Sequence, residues 1–228
     1  PSYQKKALKR YAMLSRRSTP ESGREKASMN PDEYRIMFEK EEQHGWYVGL
    51  RRMLSFVLEK TFHSPISKLD TEIPCPLILD VGCGTGAVLN FLQKYGKSVG
   101  IDFSPIAVSY CRKRQQTATA VASAMSLPFG DDTFDLAVSL DVLCHKGVTN
   151  KQLPLQEMAR VLKPGGLVIM NLPAFQILYS SHDRQVHTDR RFTRKEVIRM
   201  LRHAGMEPIY HTYWNTVLLP LILCSRVI

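Results

Sequence analysis

The pattern of apolar and polar positions divides most of the chain into short apolar runs that alternate with segments of helical periodicity. From residue 77 onwards, five nearly continuous apolar runs predict strands at 77–81, 98–102, 119–122, 134–140 and 166–172. Between and after these runs, apolar residues recur every three or four positions and predict helices over 86–95, 105–116, 151–162 and 194–204. Because strands and helices alternate without hairpin signals, the sequence predicts an α/β fold with a doubly wound, mostly parallel sheet and helices on both faces.

The residues that precede this alternation predict an N-terminal helical lid. The tetrapeptide at 30–33 combines a capping asparagine, a proline at the first helical position and two acids in the first turn, so a helix is predicted to about Gln43. A second helix is predicted from about Trp46 to Thr61. We divide the chain into a basic N-terminal extension at 1–29, a helical lid with a linker at 30–76 and a core domain at 77–228.

The formal net charge of +10 is concentrated in two clusters. Residues 1–26 hold eight Lys and Arg against two acids, and residues 184–202 hold seven against two. Such clusters attract phosphate groups, anionic lipids or nucleic acid, and for the first cluster a solvated surface is an equally good interpretation. The longest apolar run, at 217–224, is shorter than a membrane-spanning helix and is compatible only with packing or peripheral membrane contact.

The five cysteines are scattered and form no C-x-x-C pair. This spacing indicates neither a disulfide framework nor a zinc site, so we expect no metal and a reducing, cytoplasmic location.

The strand predicted at 77–81 runs into three glycines, Gly82, Gly84 and Gly86, which let the backbone pass close beneath a ligand. Their G-x-G-x-G spacing differs from the G-x-G-x-x-G of dinucleotide-binding folds, and Asp80 directly before them repels a pyrophosphate but suits an ammonium group. Asp102 ends the next predicted strand and can accept from both hydroxyls of a ribose. An amino acid and a ribose without phosphates describe S-adenosylmethionine, whose product after methyl transfer is S-adenosylhomocysteine.

With these motifs the sequence resembles the class I S-adenosylmethionine-dependent methyltransferases over about residues 40–220. The matching segments are L-D-V-G-C-G-T-G at 79–86, V-G-I-D-F-S at 99–104, L-P-F-G-D-D-T-F-D at 127–135 and R-V-L-K-P-G-G at 160–166. The resemblance implies a Rossmann-like sheet of the seven-stranded type and methyltransferase activity. We predict that K-P-G-G at 163–166 is a turn without a chemical role.

The resemblance also implies the contacts of the cofactor. The methionine part lies beside Asp80, Gly82 and Gly84, the ribose binds Asp102, and the adenine packs on Phe103 and faces the backbone of Ser123 and Ala124. Cys83, Gly86 and Leu140 are placed in the same site. The family often has an aspartate at the position of Ser123, so we expect adenine recognition to depend more on backbone or water.

A narrower resemblance links the chain to a methyltransferase type 11-like subgroup. The segment 42–52 is similar to its H-W-W-F…G-R-R opening, and 182–193 is similar to its H-D…R-R-Y-T segment. The subgroup usually has a glutamate at the position of Cys144 and a histidine near Thr188, so catalytic roles do not transfer directly.

Methyl transfer to oxygen or carbon often needs a base, which is sought near the carboxyl ends of the strands. The candidates are His145 after the fourth strand and His182, Asp183 and His187 after the fifth. Candidates for acceptor binding are Trp46, Tyr47 and Tyr179 as an apolar roof and Arg190 and Arg191 as a clamp for a carboxylate or phosphate. Each group has a structural alternative, namely loop packing for the histidines, salt bridging for the arginines and core packing for the aromatic residues.

Three functions remain open at this stage. The first is a methyltransferase that acts on a small molecule, a natural product or a lipid- or glycan-linked acceptor. The second is an RNA or protein methyltransferase, which the basic clusters favour, although D-V-L-C at 141–144 stands where amino-directed nucleic-acid enzymes tend to carry N-P-P-Y or D-P-P-Y. The third is a cofactor-binding partner protein without catalysis. The sequence leaves the oligomeric state open.

Overall fold

The computed structural model describes residues 29–63, 75–214 and 216, which contain a five-stranded sheet with helices on both faces. The strands are β1 (Leu77–Val81), β2 (Lys97–Asp102), β3 (Thr119–Val121), β4 (Phe134–Leu140) and β5 (Leu162–Asn171). They lie in the order β3-β2-β1-β4-β5, and every neighbouring pair is parallel. The predicted α/β class with a parallel, doubly wound sheet is confirmed. The strand order reverses between β1 and β4, the position where open α/β sheets bind their ligands.

The helices agree with the predicted segments to within a few residues at their ends. They are α1 (Pro31–Lys40), α2 (Gly45–His63), α3 (Ala87–Leu92), α4 (Pro105–Lys113), α5 (Leu153–Val161), α6 (Ser181–Gln185) and α7 (Arg194–His203). The capping prediction for α1 is confirmed, because the Asn30 side chain accepts a hydrogen bond from the Asp32 amide at 3.1 Å. The short α6 and a 3-10 turn at Gln176–Leu178 were not predicted.

Successive side chains of the strands point to opposite faces of the sheet and so build two apolar layers. One layer contains Leu79, Ile101 and Ala137 and packs against α5 and α7. The other contains Ile78, Leu136, Val138 and Ile169, and it includes Leu54 and Leu58 of α2. The second helix of the predicted lid is therefore also a layer of the core.

The division of the chain at residues 76 and 77 stays a prediction. Residues 1–28 of the basic extension at 1–29, most of the linker and the apolar run at 217–224 lie outside the described residues. Within the described residues, no helix is long and apolar enough to cross a membrane.

The prediction of a simple turn at 163–166 was wrong, because this segment is an irregular part of β5. Phe134 pairs with Leu162, and Leu136 pairs with Leu167, so the intervening residues bulge between two paired positions. Gly165 has a φ of 80°, and a Cβ on Gly166 would lie 2.9 Å from the Lys163 carbonyl oxygen. The pairing with β4 on both sides of the bulge keeps the segment in the sheet.

Candidate functional site

The three glycines after β1 form a tight turn at the carboxyl edge of the sheet. Gly82, Gly84 and Gly86 all have positive φ, at 79°, 53° and 93°. A Cβ on Gly82 would lie 2.3 Å from a methyl carbon of Val142, which follows β4 closely. The amides of Gly82 and Cys83 both donate to the Ile101 carbonyl oxygen at 2.8 Å, so the turn is tied to β2. The positive φ of Gly82 and the closeness of Val142 together require a glycine at this position.

Asp102 connects this turn to the end of β2. Its Oδ2 accepts from the Gly84 amide at 2.9 Å, and its Oδ1 accepts from the Ser104 amide at 2.8 Å. Burial raises the pKa of the carboxyl group, and these two hydrogen bonds oppose the shift. Each carboxylate oxygen has a second lone pair, so Asp102 keeps the capacity to accept from two ligand hydroxyls.

Asp80 is a buried carboxyl group with an unsatisfied oxygen. The residue is 1% exposed, and its Oδ2 has no hydrogen-bond partner among the described residues. Burial, together with the charges of Asp102 and Glu41, raises its pKa to about 8. A buried oxygen of this kind is expected to meet a cation or a donor. The chemistry of Asp80 and Asp102 therefore fits the ammonium and ribose groups of S-adenosylmethionine.

The predicted adenine side lies at the end of β2 and after β3. Phe103 is half-buried, and Ala124 is buried in the apolar layer on the α5 side. The Ser123 hydroxyl accepts from the Met125 amide at 3.1 Å, so it is engaged within its own turn. This local bond is consistent with the expectation that the Ser123 side chain does not take the part of an aspartate.

Helix α1 lies against the glycine turn, and a buried ionic cluster holds it there. Arg114 donates from Nη2 to Glu41 at 2.9 Å and to the Phe38 carbonyl oxygen at 2.8 Å, and from Nε to the Thr85 carbonyl oxygen at 3.1 Å. The Thr85 hydroxyl also donates to Glu41, which is 5% exposed. Burial raises the pKa of Glu41, opposed by these partners. We call Glu41, Thr85 and Arg114 the latch.

The latch was missed in the sequence. Its members are 73 positions apart at most, and Arg114 is one of several basic residues in an ordinary amphipathic segment. Met37 of α1 lies over the glycine turn, since its methyl carbon is 3.0 Å from the position of a Cβ on Gly84. The role of residues 30–76 as a lid stays a prediction.

The loops that follow β4 and β5 meet, and this brings His145 beside His187. Their rings stack with centroids 5.9 Å apart. Burial lowers the pKa of His145 to about 4, and His187, Lys151 and Lys146 add to the shift. The Gly147 amide donates to Nδ1 of His145 at 3.1 Å, so the neutral ring carries its proton on Nε2. The catalytic roles of both histidines stay predictions.

The other candidates after β5 have structural partners. Asp183 is 3% exposed, closes the capping box of α6 and receives two hydrogen bonds from Arg191 at 3.0 and 3.1 Å. Burial alone would raise the pKa of Asp183, but the bonds from Arg191 and Ser180 outweigh it and lower the pKa. His182 is exposed on the same short helix. The catalytic roles of Asp183 and His182 stay predictions.

Arg190 and Tyr179 also make contacts within the protein. Arg190 forms a salt bridge with Glu196 and lies over the ring of Phe192 at 4.8 Å. The Tyr179 hydroxyl donates to the Thr188 carbonyl oxygen at 2.9 Å. The clamp and roof roles of these residues and of Arg191 stay predictions.

Two aromatic residues of α2, Trp46 and Tyr47, were also candidates for acceptor binding. The ring of Trp46 packs on Trp214 with centroids 4.9 Å apart, and Trp46 is 44% exposed. Tyr47 is half-buried, and burial, followed by the charges of Glu41 and Asp141, raises its pKa. Trp214 lies far along the sequence and was not predicted to join this group.

Sequence reasoning also missed Asp141 and Asn171, which follow β4 and end β5. The Asn171 side-chain amide donates to Asp141 Oδ1 at 2.9 Å, and its oxygen accepts from Trp214 Nε1 at 2.7 Å. Burial raises the pKa of Asp141 to about 6, opposed by Asn171 and by the charge of Arg191. The position of Asp141 after a strand was the available signal.

The cysteines near the site are buried. Cys83 lies with its sulfur 3.9 Å from that of Cys111, behind the glycine turn. Burial raises the pKa of Cys144, which makes its thiol a poor nucleophile. Leu140 is half-buried at the end of β4, beside Asp141.

Comparison with known proteins identifies the class of this site. Residues 79–170 match a family model described as a methyltransferase domain. Together with the fold and the glycine turn, this match makes the segment a class I S-adenosylmethionine-dependent methyltransferase domain of type 11, and its cofactor is S-adenosylmethionine.

Two curated relatives differ in their named substrates. The chain is 31% identical over 146 residues to the "Probable tRNA methyltransferase 9B" of Homo sapiens, a match that covers 64% of this chain and 32% of that protein. It is 36% identical over 142 residues to the demethylmenaquinone methyltransferase of Tropheryma whipplei, covering 60% of this chain and 58% of that protein. The chain thus spans less than two thirds of either relative.

A solved structure supports the fold. The chain superimposes on an S-adenosylmethionine-dependent methyltransferase from Thermotoga maritima with a TM-score of 0.53 at 22% identity, over 77% of this chain and 81% of that one.

Proposed function

We propose that the protein transfers a methyl group from S-adenosylmethionine to a small, flat and largely apolar acceptor. The observation that carries the proposal is the buried carboxyl group of Asp80, whose Oδ2 has no partner among the described residues, beside Asp102 at a turn of three glycines. Asp80 pairs with the ammonium group, Asp102 accepts from the ribose, and Phe103 with the Ser123–Ala124 backbone contacts the adenine. S-adenosylmethionine supplies an electrophilic methyl group on a sulfonium, whose sulfur keeps the electron pair of the bond that breaks.

The residues of this chain bind and orient the cofactor and the acceptor, and they exclude water from the site. The latch fixes α1 on the glycine turn, and Met37 covers Gly84, so this side of the site is shielded from solvent. The positive charge of Arg114 is paired with the two acids Glu41 and Glu42.

The Trp46–Trp214 pair supports a flat acceptor, because aromatic faces favour stacked and apolar partners. The relative named for demethylmenaquinone supports the same class, and the chain spans a larger share of it than of the tRNA relative. The proposal includes acceptors that are linked to a lipid or a glycan. It also includes peripheral contact of the protein with a membrane.

The test uses S-adenosylmethionine with a radiolabelled methyl group, the purified protein and an extract of its source cells. The product is divided into organic-soluble, aqueous small-molecule, RNA and protein fractions. We expect label in an organic-soluble or small-molecule fraction. Asp102→Ala serves as the matched negative variant, and it should abolish both labelling and binding of S-adenosylhomocysteine. Binding of the cofactor without label in any fraction would contradict the proposal and favour a non-catalytic partner protein.

A second candidate, an RNA methyltransferase, is favoured by the outer face of α7. Four exposed basic residues share one face of this helix with Ile198; they are Lys195, Arg199, Arg202 and His203. A basic helix face of this kind suits a phosphate backbone, and one relative is named for tRNA. Label in the RNA fraction, with binding that weakens steeply as salt increases, would replace the first proposal by this one.

A further inference from the structure

A chain of hydrogen bonds ties the ends of β4 and β5 to the aromatic pair. The Asp141 amide donates to the Asn171 carbonyl oxygen at 2.9 Å, and the Asn171 side chain returns a bond to Asp141 Oδ1 at 2.9 Å. The oxygen of the same side chain accepts from Trp214 at 2.7 Å, and Trp214 packs on Trp46. The side chain of Asn171 is thus held in one orientation, because its amide donates and its oxygen accepts.

The position of Asp141 relative to the cofactor turn is fixed by the residue that follows it. Val142 packs on Gly82, so the backbone at 141–142 crosses directly beside the glycine turn. Asp141 has a φ of 57°, a conformation that few residue types adopt without strain and that aspartate and asparagine tolerate best. The carboxyl group therefore lies between the glycine turn on one side and the Trp46–Trp214 pair on the other.

The charged groups around Asp141 leave it able to exchange a proton near neutral pH. Burial raises its pKa to about 6, while the bond from Asn171 and the charge of Arg191 lower it. Tyr47 of α2 and the Cys144 thiol on its own loop also interact with its charge. A carboxylate of this kind is mostly ionised at pH 7 and holds a proton more readily than an exposed one.

Resting on the proposed function, we propose that Asp141 removes the proton from the acceptor, and that the acceptor is an aromatic compound whose hydroxyl group lies at Asp141 while its ring lies against the Trp46–Trp214 pair. The O–H bond of the acceptor breaks, its electron pair stays on the acceptor oxygen, and the proton bonds to Asp141 Oδ2. The oxygen forms the new bond to the methyl carbon, and the proton later leaves Asp141 for water. Asn171 holds Oδ1 during these events and acts as a positioning residue.

The first experiment needs neither cofactor nor acceptor. The chain has two tryptophans, Trp46 and Trp214, so its tryptophan fluorescence reports on the pair that Asn171 connects to Asp141. We expect a change in emission centred near pH 6 that is absent in Asp141→Asn. Asp132→Asn is the matched control, since Asp132 is exposed and also has a positive φ, at 51°; it should keep the change.

His44 also lies beside Trp46, because its Nδ1 accepts from the Trp46 amide at 3.3 Å. The titration is therefore repeated in His44→Gln, which should keep the change near pH 6. A wild-type protein without this change, or an Asp141→Asn variant that retains it, overturns the proposal.

The second experiment measures methyl transfer to the labelled small-molecule fraction. Asp141→Asn should lower kcat by about 10²- to 10⁴-fold, the usual contribution of a general base, with the Kd for S-adenosylhomocysteine within about twofold of wild type. Asp141→Glu should restore part of the activity and shift the acidic limb of the pH–rate profile. If Asp141→Asn is as active as wild type, this proposal fails alone; if wild type binds S-adenosylhomocysteine and labels nothing, both proposals fail.

Discussion

At the scale of single residues, the buried carboxyl group of Asp80 makes the stability of the protein depend on pH. Its pKa is raised to about 8, above the value of about 3.9 for an unfolded aspartate. The native state therefore binds this proton more tightly than the unfolded state, and its stability falls as the pH rises from about 4 to about 8. A bound ammonium group would remove this cost, because it pairs with the ionised form.

Replacement of Asp80 tests this account. In Asp80→Asn without ligand, we expect the free energy of unfolding to exceed that of wild type by at least ~2 kcal/mol at pH 8.5 and to be nearly equal to it at pH 4.5. The measurement is urea unfolding at both pH values, with Asp132→Asn as control. S-adenosylhomocysteine should bind the variant at least tenfold more weakly. A stability difference that is the same at both pH values would contradict the raised pKa.

Gly82 is a second residue whose identity the geometry of the turn requires. Gly82→Ala places a Cβ 2.3 Å from Val142 and keeps a φ of 79° that alanine adopts poorly. We expect a loss of at least ~2 kcal/mol in unfolding free energy, with loss of cofactor binding, measured by denaturation and calorimetry. Gly130→Ala, whose Cβ has Thr133 Oγ1 at 3.8 Å as its nearest contact, should change stability by less than ~0.5 kcal/mol. Equal effects of the two substitutions would refute the tight-turn argument.

At the scale of elements, the latch decides whether α1 stays on the glycine turn. Arg114 is 11% exposed and serves α1, the glycine turn and α4 at once. Removing one partner of a buried pair leaves an uncompensated charge, whereas removing both is much less harmful. Substitution of Arg114 alone should therefore loosen α1 from the glycine turn, and an added substitution of Glu41 should partly restore its attachment.

We expect Arg114→Met to accelerate hydrogen exchange of the amides at 32–43 and to weaken S-adenosylhomocysteine binding about tenfold. Arg112→Met, on the exposed side of α4, is the matched control and should change neither. Adding Glu41→Gln to Arg114→Met should recover part of the protection, since the buried acid is neutralised. A double variant that exchanges faster than Arg114→Met would show that the latch does not act through charge.

At the scale of the whole molecule, α2 joins the predicted lid to the core. Leu54 and Leu58 are 0% exposed and pack against β1, β4 and β5. Because this burial is shared with the sheet, α2 and the sheet should unfold as one cooperative unit rather than as two domains.

Leu54→Ala tests this unit. We expect a loss of about 2–5 kcal/mol in unfolding free energy, with tryptophan fluorescence and circular dichroism following the same transition. Phe56→Ala, which removes a side chain that is 51% exposed on the same helix, should cost less than ~1 kcal/mol. Separate transitions for the two signals would indicate that α2 folds independently of the sheet.

The sequence by itself determined the strands, the main helices and the glycine turn. Apolar runs and helical periods are local properties, and the glycines with Asp80 and Asp102 lie at the ends of adjacent strands, where parallel topology brings them together. The capping pattern of α1 is likewise local, and it was correct. The bulge at 163–166 was not predictable, because it depends on pairing with β4 on both sides.

Only the tertiary structure decided which polar residues meet. Arg114 bonds to Glu41 across 73 positions of the sequence. Asn171 bonds to Asp141 across 30 positions and to Trp214 across 43 positions. The side chains of the loops after β4 and β5 were assigned roles by residue type, and Arg191 and Asp183 instead bind each other. A charged or aromatic side chain acquires its role from its burial and partners, and those are set by packing between distant segments.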